Sequence, residues 1–342
     1  MRLPRIACTM DMELTIALCA YNSAKRLPRA LEALAAMREA PAWECLVVDN
    51  RSSDGTGTLA AELGARLKLA IRVIREERPG LIEARRTAVE EARGRILSFV
   101  DDDNVVEADW AKNCVEFFAA HPRCGIAGGK IDAIFEDPAS RPADFEKMYA
   151  QALAVRDMGE VARPLTPPAD DPPCGAGMTG RTEVFRRVLL EIGCRLSGRK
   201  GKALTSGEDT EIGLLIHKLG WEMWYAPELR MGHVLPASRL TREYLDRLIA
   251  GGARSAAWLD YLRGREPGRG RLAYLGRWAR SEALAAKMTM VGWMKGKKHP
   301  QASRFGFWSA RYRAEAAGYL EMAMRQPARR LEKVLAAEMK KS

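Results

Sequence analysis

The first half of the chain alternates between apolar runs and stretches whose apolar residues recur at helical spacing. Short apolar runs predict strands, and apolar residues repeated every three or four positions predict amphipathic helices. The predicted strands are 13–18, 43–48, 69–74, 95–100 and 125–135, and the helices between them are 25–37, 56–66, 79–92 and 108–120. This alternation predicts an α/β fold with a mostly parallel sheet that helices cover on both faces.

The second half of the chain departs from this rhythm. A helix is predicted over 144–158 and a proline-rich run follows at 164–173, an interruption typical of a functional or a disordered loop. The remaining predicted elements are a helix beginning at 182, a helix over 207–219, strands over 221–226 and 230–234, and an almost entirely helical stretch beyond 240. We therefore predict a tail at 1–12, an α/β domain at 13–236 and a mainly helical C-terminal region at 237–342.

The net charge of +11 is concentrated in that C-terminal region. Residues 1–236 carry 32 Lys and Arg against 35 Asp and Glu, whereas residues 237–342 carry 23 against 9, a net charge of +14. A basic surface attracts nucleic acid, anionic lipid or an acidic substrate. The predicted helix 274–294 mixes Trp, Leu and Met with Arg and Lys. This composition is typical of helices that lie at a membrane surface, and also of helices that pack on a partner.

Cysteine usage and hydropathy narrow the class of protein. The seven cysteines form no C-x-x-C pair, which argues against a zinc ribbon or a thioredoxin-like redox site and favours a reducing, cytoplasmic setting. No run of 18 apolar residues is present, so no membrane-spanning helix is expected.

Acidic residues follow two of the predicted strands. Asp49 ends the second strand, and Asp101, Asp102 and Asp103 follow the fourth. Ligands of parallel α/β sheets bind at the carboxyl ends of strands, so we expect these acids to share one site. Asp101 and Asp103 face the same side of an extended segment, and converging carboxylates favour a hard cation such as Mg²⁺ or Mn²⁺. Such a cation would neutralise a diphosphate, whereas the alternative is a polar loop that caps the next helix.

Three further features each have a functional and a structural interpretation. Glu208 and Asp209 begin a predicted helix, where acids stabilise the first turn, but a carboxylate there could also act as a general base. Residues 175–180 have the spacing G-x-G-x-x-G. Because prolines precede them and no acid lies about 20 residues further on, close backbone approach to a ligand is favoured over dinucleotide binding. His233 is either a structural residue or a metal or phosphate contact.

Five segments together resemble a known family. They are IALCAYN at 16–22, VVDN at 47–50 with SDGT at 53–56, FVDDD at 99–103, GAGM at 175–178 and GED at 207–209. With this ordered set the chain resembles the family 2 glycosyltransferases of GT-A fold over about residues 13–236. The resemblance implies a Rossmann-like, mostly parallel sheet flanked by helices, with a C-terminal helical extension.

The resemblance also implies roles for individual residues. Asp209 is implied to be the catalytic base, supported by Glu208. Asp103 is implied to ligate Mn²⁺ or Mg²⁺ across the diphosphate, together with Asp101 and His233. The residues implied to bind the donor are Ala20, Tyr21, Asn22, Asp49, Asp101, Asp102, Gly175, Ala176, Gly177 and Met178.

The implied reaction is transfer of a sugar from a nucleotide-sugar donor to an acceptor hydroxyl, with inversion at the anomeric carbon. A UDP-sugar is the favoured donor, and a glycan or lipid-linked acceptor in cell-surface glycan or glycolipid synthesis is expected. The chain lacks the Q-x-x-R-W motif of processive synthases, so transfer of a single sugar is expected. Residues 274–298 are expected to contact the inner membrane face or a partner subunit, and a homo-oligomer remains open.

Two other functions remain as alternatives. A nucleotidyltransferase would need a loop rich in Gly and Lys near the N-terminus, which residues 19–25 do not supply. A non-catalytic nucleotide-sugar-binding scaffold would not need the intact set of acids. Binding of nucleic acid is not expected, because no helix-turn-helix, zinc-finger or RRM signature accompanies the basic region.

Overall fold

The computed structural model describes residues 12–199, 206–265, 271–295, 302–325 and 327–339. Its strands are β1 (Leu14–Ala20), β2 (Trp43–Asp49), β3 (Ile71–Arg75), β4 (Ile96–Phe99), β5 (Asn104–Val106), β6 (Cys124–Gly128), β7 (Ile131–Phe135), β8 (Arg163–Leu165), β9 (Thr179–Arg181), β10 (Glu222–Tyr225) and β11 (Met231–Leu235). The α-helices of the α/β part are α1 (Leu27–Ala35), α2 (Thr56–Leu67), α3 (Leu81–Glu91), α4 (Trp110–Ala120), α5 (Thr182–Arg186) and α6 (Glu208–Lys218). The C-terminal helices are α7 (Arg242–Ala253), α8 (Ala256–Leu262), α9 (Arg271–Lys295), α10 (Ala302–Arg325) and α11 (Pro327–Met339). The predicted α/β fold with a helical extension is confirmed.

The main sheet has the strand order β3-β2-β1-β4-β9-β6-β10-β8. β1 pairs in parallel with both β2 and β4, and β2 pairs in parallel with β3. β9 runs antiparallel between β4 and β6. The carboxyl ends of β1, β2 and β4 therefore lie side by side, which brings Ala20, Asp49 and the residues after Phe99 to one edge of the sheet.

Alternate side chains of the central strands enter two different apolar cores. Ala17, Leu46 and Phe99 pack on one face of the sheet with residues of α3, α5, α6 and α8. Ile16 and Val47 pack on the other face with residues of α1, α2 and α4. Because both faces are buried, these strands are mostly apolar, and for that reason the sequence pattern predicted them.

A smaller sheet, ordered β5-β11-β7, lies beside the acidic segment that follows β4. In the antiparallel register of β11 and β5, His233 lies opposite Asn104. The single strand predicted over 125–135 is wrong, because β6 belongs to the main sheet and β7 to the smaller one. The chain changes sheets at Gly129, where a β-carbon would lie 1.6 Å from the carbonyl oxygen of Leu229. Only glycine allows this close crossing of two backbones.

The helix predicted over 144–158 is also wrong. The chain forms one π-helical turn at Phe145–Tyr149 and one 3₁₀ turn at Gln151–Leu153. Ala154 then adopts a left-handed backbone conformation with φ of 55°, which ends the helical path. Three apolar side chains of this segment and three beyond β11 form a separate small core: Phe145, Tyr149, Leu153, Leu240, Leu245 and Leu248.

The C-terminal region is helical, as predicted. Trp258 and Tyr261 of α8 pack into the same apolar core as one face of the main sheet. α9 contains the helix predicted over 274–294, and residues 296–298 of the predicted membrane contact lie outside the described residues. In the part of the chain that the structure describes, no helix combines the length and the apolar character needed to span a membrane.

Candidate functional site

The loops after β1 and β2 are tied together at the edge of the sheet. The backbone N–H of Asn22 donates to Ser52 Oγ, and Asn22 Oδ1 accepts from the N–H of Ser53, at 3.0 and 2.9 Å. The N–H of Ser23 donates to Thr56 Oγ1 at 2.8 Å. Asn22 adopts a φ of 48°, a conformation that Asn tolerates better than most residues. These bonds fix the loop that carries the predicted donor-binding residues.

Two residues of that predicted donor site differ in exposure. Ala20 is buried at the end of β1, whereas the side chain of Tyr21 is 52% exposed at the surface of the loop. A buried alanine contributes only backbone to a site. An exposed tyrosine ring offers a face on which a planar base can stack.

Asp49 lies buried where β2 ends, as predicted. Its Oδ1 accepts from the N–H of Ser52 at 2.9 Å, and its Oδ2 pairs with Arg75 Nη1 at 3.3 Å. A β-carbon at Gly57 would lie 2.9 Å from Asp49 Oδ2, so glycine leaves space beside the carboxylate. The side chain of Asp49 is therefore held in one position, with Oδ2 directed away from the loop after β2 and toward Arg75 of β3.

The three acids after β4 have three different environments. Asp102 is buried and pairs with Arg26 at 2.7 Å. Asp103 is buried between Arg239 Nη1, 2.6 Å from its Oδ2, and His233 Nε2, 3.4 Å from its Oδ1. Burial alone would raise the pKa of Asp103, but the charges of His233 and Arg239 hold that pKa well below its usual range. Asp103 is therefore ionised at neutral pH.

Asp101 lies next to these paired acids and carries a less well compensated charge. Burial raises the pKa of Asp101, and the negative charge of Asp103 raises it further, against the opposing effect of Arg85. The carboxylates of Asp101 and Asp103 interact electrostatically, so the strand end brings both predicted acids to one site.

His233 is positioned by the smaller sheet. Its Nδ1 lies 2.7 Å from the carbonyl oxygen of Leu153, and a carbonyl only accepts, so Nδ1 carries a proton and donates. This leaves Nε2 directed at Asp103. Among the described residues, no group of three or more His, Cys, Asp and Glu side chains is arranged to hold a metal ion. The assignment of His233 as a metal ligand remains a prediction.

The segment 175–178 and the start of α6 meet each other. The backbone N–H of Gly175 donates to Asp209 Oδ2 at 2.8 Å, and Asp209 Oδ1 accepts from the N–H of Thr210 at 2.7 Å. The N–H of Phe99 donates to the carbonyl oxygen of Met178 at 2.8 Å, which anchors the other end of the segment on β4. Asp209 is thereby placed beside the acids that follow β4.

The middle of that segment admits only small residues. A β-carbon at Gly177 would lie 2.6 Å from Met231 Cε, and Gly177 has a φ of 69°. Ala176 and Met178 are buried, at 3% and 0% exposure, with Ala176 in the same apolar core as Met231. Gly175, at the start of the predicted segment, borders Arg85 and Asp209, and the donor-binding role of residues 176–178 stays a prediction.

Arg85 of α3 is a site residue that the sequence analysis missed. Its guanidinium is buried, and Nη1 lies 3.4 Å from Glu208 Oε1. The charges of Asp101 and Asp209 also act on it, so it lies among three carboxylates. It occupies a position on the apolar face of α3, between Ile82 and Val89, and an arginine at such a position is the signal that could have identified it.

Glu208 is the least well compensated acid of the site. It is 5% exposed, and no described residue donates a hydrogen bond to its Oε2. The pKa of Glu208 is raised to about 7. Burial is the largest cause and the negative charge of Asp209 the next, while the positive charge of Arg85 opposes both. Groups with pKa values near neutrality in a cluster of charges are typical of catalytic sites.

Comparison with known proteins is consistent with this arrangement. Residues 15–182 match the description "Glycosyl transferase family 2". The α/β part of the chain is therefore similar to glycosyl transferase family 2. The predicted resemblance is thus confirmed, and the matched residues include Asp49, Asp101–Asp103 and Gly175–Met178.

The individual proteins that this chain resembles share low sequence identity with it. It is 29% identical over 113 residues to the glycosyltransferase AglE of Haloferax volcanii, and 31% identical over 144 residues to the succinoglycan biosynthesis protein ExoO of Rhizobium meliloti. These matches cover 33% and 42% of the chain, but only 37% and 39% of the two relatives. The mannosyltransferase PcManGT of Pyrobaculum calidifontis, solved with GDP-Man and Mn²⁺, is similar with 19% identity and a TM-score of 0.48, over 96% of this chain and 76% of that one.

Proposed function

We propose that this chain is a metal-dependent, inverting glycosyltransferase that moves a sugar from a nucleotide-sugar donor to an acceptor hydroxyl. The observation that carries the proposal is the cluster of Asp101, Glu208 and Asp209 around the buried guanidinium of Arg85. These residues come from α3, α6 and the segment after β4. The similarity of residues 15–182 to glycosyl transferase family 2 supports sugar transfer as the reaction at this cluster.

The nucleotide end of the donor would occupy the loops after β1 and β2. Asp49 is a buried acceptor with a fixed orientation, which suits recognition of a base N–H. The exposed ring of Tyr21 would stack on the base, and Asn22 would hold the loop in place. A UDP-sugar is the favoured donor.

The acids after β4 fit a divalent cation, Mn²⁺ or Mg²⁺. Hard carboxylate oxygens are the ligands these ions prefer, and Mg²⁺ commonly takes one or two carboxylates together with substrate phosphates. The raised pKa of Asp101 reflects a buried charge that a cation would compensate. Asp103 would supply the second carboxylate, with Arg239 shifting from Asp103 toward the phosphates and Asp102 held aside by Arg26. When bound, the cation would stabilise the negative charge that develops on the departing diphosphate.

Asp209 is the proposed catalytic base. Its carboxylate is half-buried and held by the N–H groups of Gly175 and Thr210, so it is fixed in position beside Gly175. It would accept the proton of the acceptor hydroxyl as that oxygen attacks the anomeric carbon and the bond to the diphosphate breaks. A single displacement of this kind inverts the anomeric centre. Glu208 and Arg85 would support Asp209 from the buried side.

The acceptor is proposed to be a glycan or a lipid-linked sugar. A relative named for succinoglycan biosynthesis supports a role in polysaccharide synthesis. Transfer of one sugar per acceptor is proposed, because the sequence lacks the Q-x-x-R-W motif.

The test is release of nucleoside diphosphate by the full chain, incubated with Mn²⁺ and a panel of nucleotide sugars. We expect slow hydrolysis of one donor, lost on addition of EDTA and in Asp103→Asn. The matched control is Asp132→Asn, which removes a surface pair with Arg230 at 2.9 Å and should leave the rate unchanged.

A second result separates binding from catalysis. If no donor is hydrolysed but calorimetry detects binding of one, a non-catalytic scaffold replaces the proposed enzyme. If neither binding nor release occurs with any donor, the nucleotide-sugar assignment itself is wrong.

A further inference from the structure

Helix α9 has apolar stripes on two opposite faces. The inner stripe includes Tyr274 and Ala285, which are buried together with the polar Ser281, and α10 packs on this helix. The outer stripe is defined here as Leu272, Ala279, Ala283, Ala286, Met290 and Trp293. Its members recur at intervals of three, four or seven residues and therefore lie in one line along the helix.

The outer stripe is exposed along its whole length. Leu272 and Trp293 are each 83% exposed and Met290 is 55% exposed. Within the described ranges of the chain, no other element covers these side chains. A line of exposed apolar residues about six helical turns long is unusual on a protein that has no partner, and it indicates an interaction surface.

The charges beside the outer stripe identify the kind of partner. Arg280 and Lys287 are exposed and flank the stripe along one side, as expected from the helical repeat. The whole helix carries five Lys and Arg against one acid, Glu282. A second copy of α9 would bring like charges together in either orientation, which opposes self-association. An anionic surface satisfies the cations and also receives the apolar stripe.

We propose that the outer stripe of α9 docks the protein on an anionic lipid surface. The helix would lie in the plane of the interface, with Trp293 and Met290 among the headgroups and Arg280 and Lys287 on anionic lipid phosphates. The small side chains at 279, 283 and 286 allow the middle of the helix to approach the surface closely. This inference concerns binding alone and does not depend on the proposed transferase activity.

The test is co-sedimentation of the full chain with vesicles of phosphatidylcholine, with and without phosphatidylglycerol. We expect binding to the anionic vesicles only, weakened by added salt because exposed charges are screened. Trp293→Glu should weaken binding about tenfold or more, since it removes an anchor and adds a repelled charge. The double variant Arg280→Gln with Lys287→Gln should weaken it by a similar factor, about fivefold for each charge.

Two controls keep the result interpretable. Val161→Glu changes another exposed apolar residue, 75% exposed and far along the chain from α9, and should bind the vesicles like the parent. Light scattering of the parent and of Trp293→Glu reports the oligomeric state. The proposal is overturned if the parent does not bind anionic vesicles or if Trp293→Glu binds them as well as the parent. A dimer that Trp293→Glu dissociates would assign the outer stripe to a second copy instead.

Discussion

At the scale of residues, the two adjacent acids of α6 have opposite environments. Asp209 accepts two backbone N–H bonds, from Gly175 and Thr210, at 2.8 and 2.7 Å. Glu208 is buried, and among the described residues its Oε2 has no donor. Neighbouring carboxyl groups in different surroundings are suited to different tasks. Asp209 is thus suited to accept a proton from a substrate. Glu208 is suited to change the charge beside Asp209 by gaining or losing its own proton.

Replacement of the proposed base tests this division of roles. Asp209→Asn keeps an acceptor for the N–H of Gly175, so the backbone around the site should be preserved. We expect kcat to fall about 10²- to 10⁴-fold, because the group that accepts the proton is lost, while affinity for the donor stays within about twofold. Steady-state kinetics and calorimetry measure the two quantities. Loss of donor affinity with unchanged kcat would assign Asp209 to binding instead.

The raised pKa of Glu208 predicts a pH-dependent stability. In the folded chain its pKa is about 7, against an ordinary value of 4.5, so the folded state binds the extra proton between these values. The free energy of unfolding contributed by this group therefore falls as pH rises from about 4.5 to 7. Relative to Glu208→Gln, which stays neutral, the parent should lose up to about 3 kcal/mol between pH 4.5 and pH 8.

Urea unfolding of both proteins at the two pH values measures this difference. Titrating groups away from Glu208 are common to the two proteins and cancel in the comparison. Equal changes with pH in both proteins would show that Glu208 ionises in the folded chain at its ordinary pKa.

Sequence reasoning predicted the acids of the site but not their arginine partners. Asp49 and Asp101 to Asp103 could be predicted, because polar residues after buried strands lie at the ligand-binding edge of an α/β sheet. Arg85 could not be paired with Glu208, since 123 positions separate them and only the fold, which places α3 and α6 in one apolar core, brings them together. Likewise, only the course of the chain after β11 places Arg239 on Asp103.

At the scale of elements, the segment that begins at Gly175 connects the arginine and the proposed base. Its N–H binds Asp209, and a β-carbon at Gly175 would lie 2.4 Å from Arg85 Nη2. The space above the guanidinium therefore admits only glycine unless Arg85 moves.

Gly175→Ala tests the importance of that close packing. The added methyl group should displace Arg85 from Glu208 or lift the segment from Asp209, since buried packing allows little relief. We expect kcat to fall about tenfold or more, because small displacements at a catalytic site are costly. The matched control is Gly306→Ala in α10, where a β-carbon meets no atom within 4 Å and activity should not change. A fully active Gly175→Ala would mean that the position of Arg85 does not matter.

Elements whose apolar residues recur with a clear period were predicted correctly, and irregular elements were not. β1, β2 and α6 match their predicted ranges within two residues at each end. The break between β6 and β7 depends on contact with Leu229, a residue 100 positions further on, so no local pattern reveals it. β5, β8 and β9 have three residues each, too short for a periodic pattern to appear.

At the scale of the whole molecule, α8 links the C-terminal region to the site-bearing helix α6. Glu211 of α6 accepts from Trp258 Nε1 at 2.8 Å and from the N–H groups of Arg195 and Leu196 at 2.9 and 2.7 Å. The ring of Trp258 lies in the same apolar core as Phe99 of β4. The boundary after residue 236 remains a prediction, but this shared core joins the regions on its two sides.

A shared core predicts that the two regions unfold together. Thermal unfolding of the full chain should show one transition, the same by far-UV and near-UV circular dichroism, because the core on one face of the main sheet contains side chains from both regions. Trp258→Ala should lower the free energy of unfolding by about 3–5 kcal/mol, since it leaves a cavity and removes the hydrogen bond from the indole N–H to Glu211. Trp293→Ala is the matched control, because that ring is 83% exposed and its loss should change stability by less than about 0.5 kcal/mol. If Trp258→Ala instead separates the curve into two transitions, with donor binding kept through the first, the helices beyond residue 237 fold as an independent unit and α8 only rests on the site-bearing core.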